Sequence, residues 1–187
     1  YTIANKNSFN AFISSNKKTN EHYRRILSSL PIHTISKELL TKILKRNKVN
    51  DEDIKNIMLS VDEQKARLNT ILNTSTIEDE ITELSAEEFE KNPPTLSLSF
   101  SFYEKGEITY NYNEYLEHLK LTKEYVKNNK NYKLNCSSYN TFKNIQITIC
   151  DKKWVMLSKD NSPSIHFVIH HPKLRNAIEN FIPPIVE

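Results

Sequence analysis

Six histidines, two cysteines and one compact basic run are the side chains in this sequence whose types could do chemistry. The histidines are His22, His33, His118, His166, His170 and His171, and the cysteines are Cys136 and Cys150. A thiolate beside a histidine would make a nucleophile pair. Histidines and cysteines at short fixed spacings would make a zinc site. The chain spells neither H-E-x-x-H nor C-x-x-C. His166 and His170 share one face of an expected strand, but at ~3.3 Å per residue they stand roughly 13 Å apart, too far for one metal ion. Cys150 closes an isoleucine-rich strand and reads as a small apolar residue. A hairpin about Tyr139-Asn140 would put Cys136 opposite a residue near Lys143, so no Cys136–Cys150 bridge is expected. The expectation is therefore no catalytic residue, no metal ligands and no cofactor.

The basic run is His170-His171-Pro172-Lys173-Leu174-Arg175. Pro172 stands where a first helical residue belongs, so His170, His171, Lys173 and Arg175 cluster at a helix N-terminus. Cations there oppose the helix dipole, and a bound anion would compensate them. These four are the candidate anion-binding residues. The structural alternative is that Lys173 and Arg175 are solvated or pair with an acidic helix such as Glu78–Glu90.

Gly106 is the single glycine of the 187 residues, where average usage of about 7% would give about a dozen. Phosphate-cradling loops, dinucleotide fingerprints and nucleophile elbows need glycine where backbone takes positive φ or meets a ligand closely. Those classes are excluded. No run of about 18 apolar residues is present to cross a bilayer. The expectation is a reduced, intracellular protein (cytoplasmic or nuclear) with no membrane partner.

Among the elements, Thr141–Ile185 carries the clearest pattern. Ile145, Ile147 and Ile149 alternate with polar residues, Trp154–Leu157 starts a second strand, and Ile165, Phe167 and Ile169 alternate again. Leu174, Ile178 and Phe181 follow at helical spacing. A three-stranded meander closed by a terminal helix is expected. Upstream, Leu96–Phe102 and Ile108–Tyr112 alternate about the Gly106 turn as a hairpin, a helix capped by Asn113 runs to about Asn129, and Tyr132–Cys136 adds a strand.

Before that, residues 20–92 read as short helices. Asn20 precedes Tyr23, Ile26, Leu27 and Leu30. Thr34 or Ser36 precedes Leu39, Leu40, Ile43 and Leu44. Asn50 with Asp53, Ser60 with Glu63 and Ser85 with Glu88 have capping-box spacing, and Ile77, Ile81 and Leu84 continue the stripe. The fold expected is α+β: a loose polar segment over 1–19, a helical region over 20–92, and an α+β domain over 95–187. Its sheet is expected to be antiparallel, in the order β-β-α-β-β-β-β-α, with helices packed on one face.

Charge is segregated. Residues 1–48 hold ten Lys/Arg against two acids, and residues 49–91 hold twelve Asp/Glu against four bases. The simplest reading packs the two against each other. The functional alternative is a basic face for nucleic acid and an acidic face for a basic partner. Ile35–Arg46 and Asp51–Leu59 have helix-turn-helix lengths, but the second helix leads with Asp51-Glu52-Asp53, which a phosphate-lined groove repels.

The function expected is a non-enzymatic protein-binding or assembly module: a subunit of a larger complex or the interaction domain of a regulator. Arg24, Arg25, Lys45, Arg46, Tyr103 and Tyr125 are the candidate partner-binding residues, since arginine and aromatic side chains anchor interfaces. The alternative is a nucleic-acid or phosphate binder that uses the basic N-terminal segment.

Overall fold

A computed structural model describes residues 20–96, 108–137, 145–159 and 165–181. The expected loose segment over 1–19, most of the Gly106 hairpin and Tyr103 lie outside the described residues. Six strands form one mixed sheet: β1 (His22–Ile26), β2 (Thr76–Thr82), β3 (Tyr132–Ser137), β4 (Gln146–Cys150), β5 (Trp154–Lys159) and β6 (Ile165–Ile169). Their spatial order is β3-β2-β1-β4-β5-β6. β1, β2 and β3 are mutually parallel, whereas β1–β4, β4–β5 and β5–β6 are antiparallel.

The α+β class and the C-terminal meander match the sequence, but the antiparallel sheet and the wholly helical 20–92 region do not. Two stretches read as helices are parallel strands, β1 and β2. In β1 Tyr23 and Arg25 are buried between half-exposed neighbours, and in β2 Ile77, Asp79 and Ile81 are buried in strict alternation. The residues between strands do form helices. α1 (Lys37–Arg46) is capped by the Ser36 hydroxyl, which accepts from the Leu39 N–H. α2 (Asp51–Leu72) is capped by Asn50, which accepts from the Asp53 N–H. Ser60 lies inside α2 and starts nothing, because the run from Asp51 continues without a break. α3 (Ala86–Lys91) has the Ser85–Glu88 capping box. α4 (Tyr112–Lys127) starts earlier than read, since Asn111 and Glu114 form the box and leave Asn113 inside the helix.

β3 does not turn back on β4. It pairs in parallel with β2 at the sheet edge, and β4 inserts beside β1. Of the expected hairpin, the described part is a Thr95–Thr109 bridge and a Leu96 N–H donating to Ile108 O at 2.7 Å.

The helices do not all lie on one face. Leu68, Ile71 and Leu72 of α2 pack with Tyr23, Ile77, Tyr132, Cys150 and Met156 on one side of the sheet. On the other side Ile147, Ile149 and Val155 pack against Ile178 of α5 (Pro172–Phe181). Alternating strand residues separate these two cores. The oppositely charged segments do meet, through Arg25 and Asp79 on neighbouring strands and through Lys37 and Asp62 on α1 and α2. Among the described residues no helix is long and apolar enough to cross a membrane.

Candidate functional site

The densest set of chemically capable side chains lies under a short 3-10 turn, Ile32–Thr34, that follows β1. Thr34 Oγ1 donates back to the Pro31 carbonyl at 2.7 Å, which tightens the turn. His33 and Thr34 are both buried there. The His33 ring meets Tyr125 edge-on with centroids 5.8 Å apart, and Tyr132 at 6.0 Å. Its Nε2 stands 3.4 Å from the Tyr132 hydroxyl.

On the sheet below, Arg25 and Asp79 are register partners across β1 and β2. Arg25 Nε donates to Asp79 Oδ1 and Nη2 to Oδ2, both at 2.5 Å. Arg25 Nη2 also reaches the Tyr132 hydroxyl at 3.2 Å, and that hydroxyl donates to Asp79 Oδ2. Arg25 is 6% exposed and Asp79 is 0% exposed. A two-pronged, fully hydrogen-bonded pair is the arrangement that makes such burial tolerable. Burial disfavours the guanidinium charge, but Asp79 and Tyr132 outweigh it and hold the group protonated. Burial and then Asp79 push the Tyr132 phenol well above its usual range. Burial, reinforced by Arg25, drives His33 well below the usual imidazole range, so the ring is neutral.

A second buried network adjoins it through Thr34. His118 of α4 meets the Tyr110 hydroxyl at Nδ1 (2.7 Å), and at Nε2 faces Thr34 Oγ1 (3.1 Å) and the Pro31 carbonyl (3.3 Å). A neutral ring that accepts from Tyr110 carries its proton on Nε2, toward those oxygens. Burial lowers His118 to about 4, and the Pro31 bond opposes the shift. Both histidines are thus uncharged spacers between helices and sheet.

Of the sequence candidates, Arg25 and Tyr125 belong to the His33 cluster, and the others lie apart from it. Arg25 is withdrawn from the surface into the buried pair, because its position faces the helix-covered core. Arg24, on the opposite sheet face, pairs with Asp151 at 3.4 Å beside His22, whose ring nitrogens face Asp151 (2.7 Å) and Glu78 (3.2 Å). Arg46 grips the buried Glu114 carboxylate, with Nη2 at 2.7 Å from Oε2. Burial pulls the Glu114 carboxyl upward, but hydrogen bonds from Arg46 and the Asn111 N–H outweigh it and leave it below its usual range. Lys45 is exposed on α1. Tyr125 is half-buried, its hydroxyl donating to Asn69 Oδ1 at 2.6 Å. At α5, His170, His171 and Lys173 are exposed. Arg175 is turned away, binding the Lys152 carbonyl and lying 3.5 Å from Glu179.

Both cysteines are free thiols. Cys150 is buried against Glu21, and burial, then Glu21, raises its thiol to about 12. Lys153 binds the same Glu21 carboxylate. Among the described residues no group of three or more His, Cys, Asp or Glu side chains converges on a metal position. The sequence reading missed Asp79 and Tyr132 as members of the central cluster. The available signal was Ile77-x-Asp79-x-Ile81, a charged residue at the middle of a period-2 apolar pattern. No family model, curated protein or solved structure matches this chain.

Proposed function

We propose that this chain is a non-enzymatic protein-binding module, a subunit of a larger complex or the interaction domain of a regulator. The observation that carries this reading is that the densest cluster of chemically capable side chains is spent on itself. Arg25, Asp79, Tyr132 and His33 saturate one another below the surface, and so do His118, Tyr110 and Thr34. A general acid, base or nucleophile must reach its substrate in a useful protonation state. A neutral buried imidazole and a thiol at about 12 do not.

The surface is built differently. Leu59, Leu116, Phe167 and Leu174 are large apolar side chains left exposed. Phe167 belongs to β6, a five-residue strand without lysine, arginine, aspartate or glutamate at one end of the sheet. Uncharged edge strands and exposed apolar side chains are features that partner proteins cover.

The test is affinity capture with chemical cross-linking from native lysate, in nuclease-treated and untreated arms. A defined protein that survives nuclease, cross-linked to lysines of one sheet edge, supports the module reading. Recovery of nucleic acid that is lost steeply with added salt, with contacts at Lys42, Lys45 and Lys48, overturns it.

A further inference from the structure

The two outer strands of the sheet are not alike. β3 carries Lys133, the kind of charge by which an edge strand repels a copy of itself. β6, at the other end, has no lysine, arginine, aspartate or glutamate. Hydrogen-bond alternation fixes which backbone groups of β6 face outward. Asp151 N–H donates to His22 O, the position opposite it in the β1–β4 register. Residues 147, 149 and 151 therefore spend their backbone groups on β1, and residues 146, 148 and 150 spend theirs on β5. Across the β4–β5 register, residues 154, 156 and 158 are spent on β4, so 155 and 157 bond β6. Their register partners, Ile169 and Phe167, are thus bonded to β5. The N–H and C=O of Val168, between them, point to the outer side of β6, where no strand lies among the described residues.

Phe167 and Ile169 also end two apolar rows on one face. Ile147, Leu157 and Phe167 stand side by side across β4, β5 and β6, and so do Ile149, Val155 and Ile169. The inner members pack with Ile178 of α5. Ile147 is 3% exposed, whereas Phe167 is 53% exposed. The first row therefore runs out into solvent at the edge.

We propose that β6 pairs antiparallel with β6 of a second copy of this chain, about a two-fold axis at Val168. The proposal rests on the protein-binding reading above and makes the partner at this edge the chain itself. On the axis, the two Val168 residues exchange both N–H···O=C bonds. Phe167 of each copy stands opposite Ile169 of the other, in a non-hydrogen-bonded pair with Cα atoms about 4.5 Å apart. An aromatic side chain opposite a β-branched one is a favourable cross-strand pair. The Phe167 row of one copy then continues into the Ile169 row of the other. A two-fold contact sets one patch against itself, and Phe167, Val168 and Ile169 bring no ionisable group against its like. β3 would bring Lys133 toward its copy. The seam is short, at the small end of interface sizes, so the dimer is expected to dissociate on dilution.

The test is sedimentation velocity of the full chain over a dilution series. The expected result is a monomer–dimer equilibrium, weakened at least about tenfold by Phe167→Lys, which sets a charge in the apolar row. Val168→Pro removes the outward N–H without costing a bond to β5 and should leave a monomer. If that variant fails to fold, Phe167→Lys decides, since its site is already more than half exposed. Register is read by disulfide cross-linking with oxidised glutathione in a Cys136→Ser background. A mixture of Phe167→Cys and Ile169→Cys chains should cross-link well above either variant alone, because a Cα separation of about 4.5 Å lies within disulfide range. Leu59→Cys, at a comparably exposed site on α2, should not cross-link.

A monomer at every concentration overturns the proposal. So does a dimer that Phe167→Lys leaves unchanged, or a mixture that cross-links no better than its components. If the chain is monomeric while capture still returns a nuclease-resistant protein, only this placement fails and the module reading stands. If it dimerises through β6 and captures no other protein, the proposal holds and the larger-complex reading falls.

Discussion

The two halves of the sheet solve burial in opposite ways. In the parallel half, β1 and β2 bring an arginine and an aspartate into the core and neutralise them with each other and with Tyr132. In the antiparallel half, β4 and β5 bury Ile147, Ile149, Cys150, Trp154, Val155 and Met156, and their stability comes from area removed from water. A buried ion pair contributes little net stability against an apolar pair of the same volume, but it fixes partner and register. An apolar strand contributes more and specifies less, since a register slip is resisted only by its alternation. The charged half is the specific one and the apolar half the adhesive one.

The largest test of that contrast removes one charge. Asp79→Ala leaves Arg25 buried without its carboxylate and should cost about 3–5 kcal/mol, read as a lowered urea midpoint. Arg25→Met combined with Asp79→Leu should cost much less than Asp79→Ala alone. Equal losses in the single and double variants would mean that the pair contributes net stability rather than specificity.

The next effect is a pH dependence carried by the buried histidines. His33 and His118 titrate lower in the folded chain than unfolded. The unfolded chain therefore binds more protons below pH ~6.5, and stability must fall as pH drops from there toward about 4. For His118 alone the loss is on the order of 3 kcal/mol. His118→Gln should flatten the slope of urea midpoint against pH between those limits. An unchanged slope would remove His118 from the account.

The smallest effect belongs to the antiparallel half. Thr148 is fully buried on β4, and its hydroxyl has no hydrogen-bond partner among the described residues. Thr148→Val keeps the shape and deletes the orphaned group, so it should be neutral or stabilising by up to about 1 kcal/mol. A clear loss, measured by the same denaturation, would show that the hydroxyl is satisfied and that this half is not purely apolar.

The same contrast explains what was legible from sequence. The meander could be read because Ile145, Ile147 and Ile149, then Ile165, Phe167 and Ile169, alternate without interruption. β1 and β2 could not be read as strands, because Arg25 and Asp79 occupy core positions and break the apolar alternation. The leftover apolar residues, Tyr23, Ile26, Leu27 and Leu30, also fit a helical stripe. Helix starts were readable at Ser36, Asn50 and Ser85, where a side chain caps locally, but the Asn111 cap of α4 was read two residues late, at Asn113. Strand pairing between distant segments leaves no such local mark. For that reason His33 and His118 were visible as residue types, while their joint use with Asp79 and Tyr132 was not.

The central position of β1 has a consequence for synthesis. One flank closes on β2, with Arg25 and Asp79 only 54 residues apart, but the other waits for β4, and His22 meets Asp151 across 129 residues. Contacts so distant in sequence form slowly. On the ribosome the N-terminal strands can assemble first and must then hold the middle of the eventual sheet as a temporary edge until residues 146–150 emerge. During that interval the nascent chain exposes the backbone of β1 to other strands, so the centre of the sheet stays open after its β3 side can close.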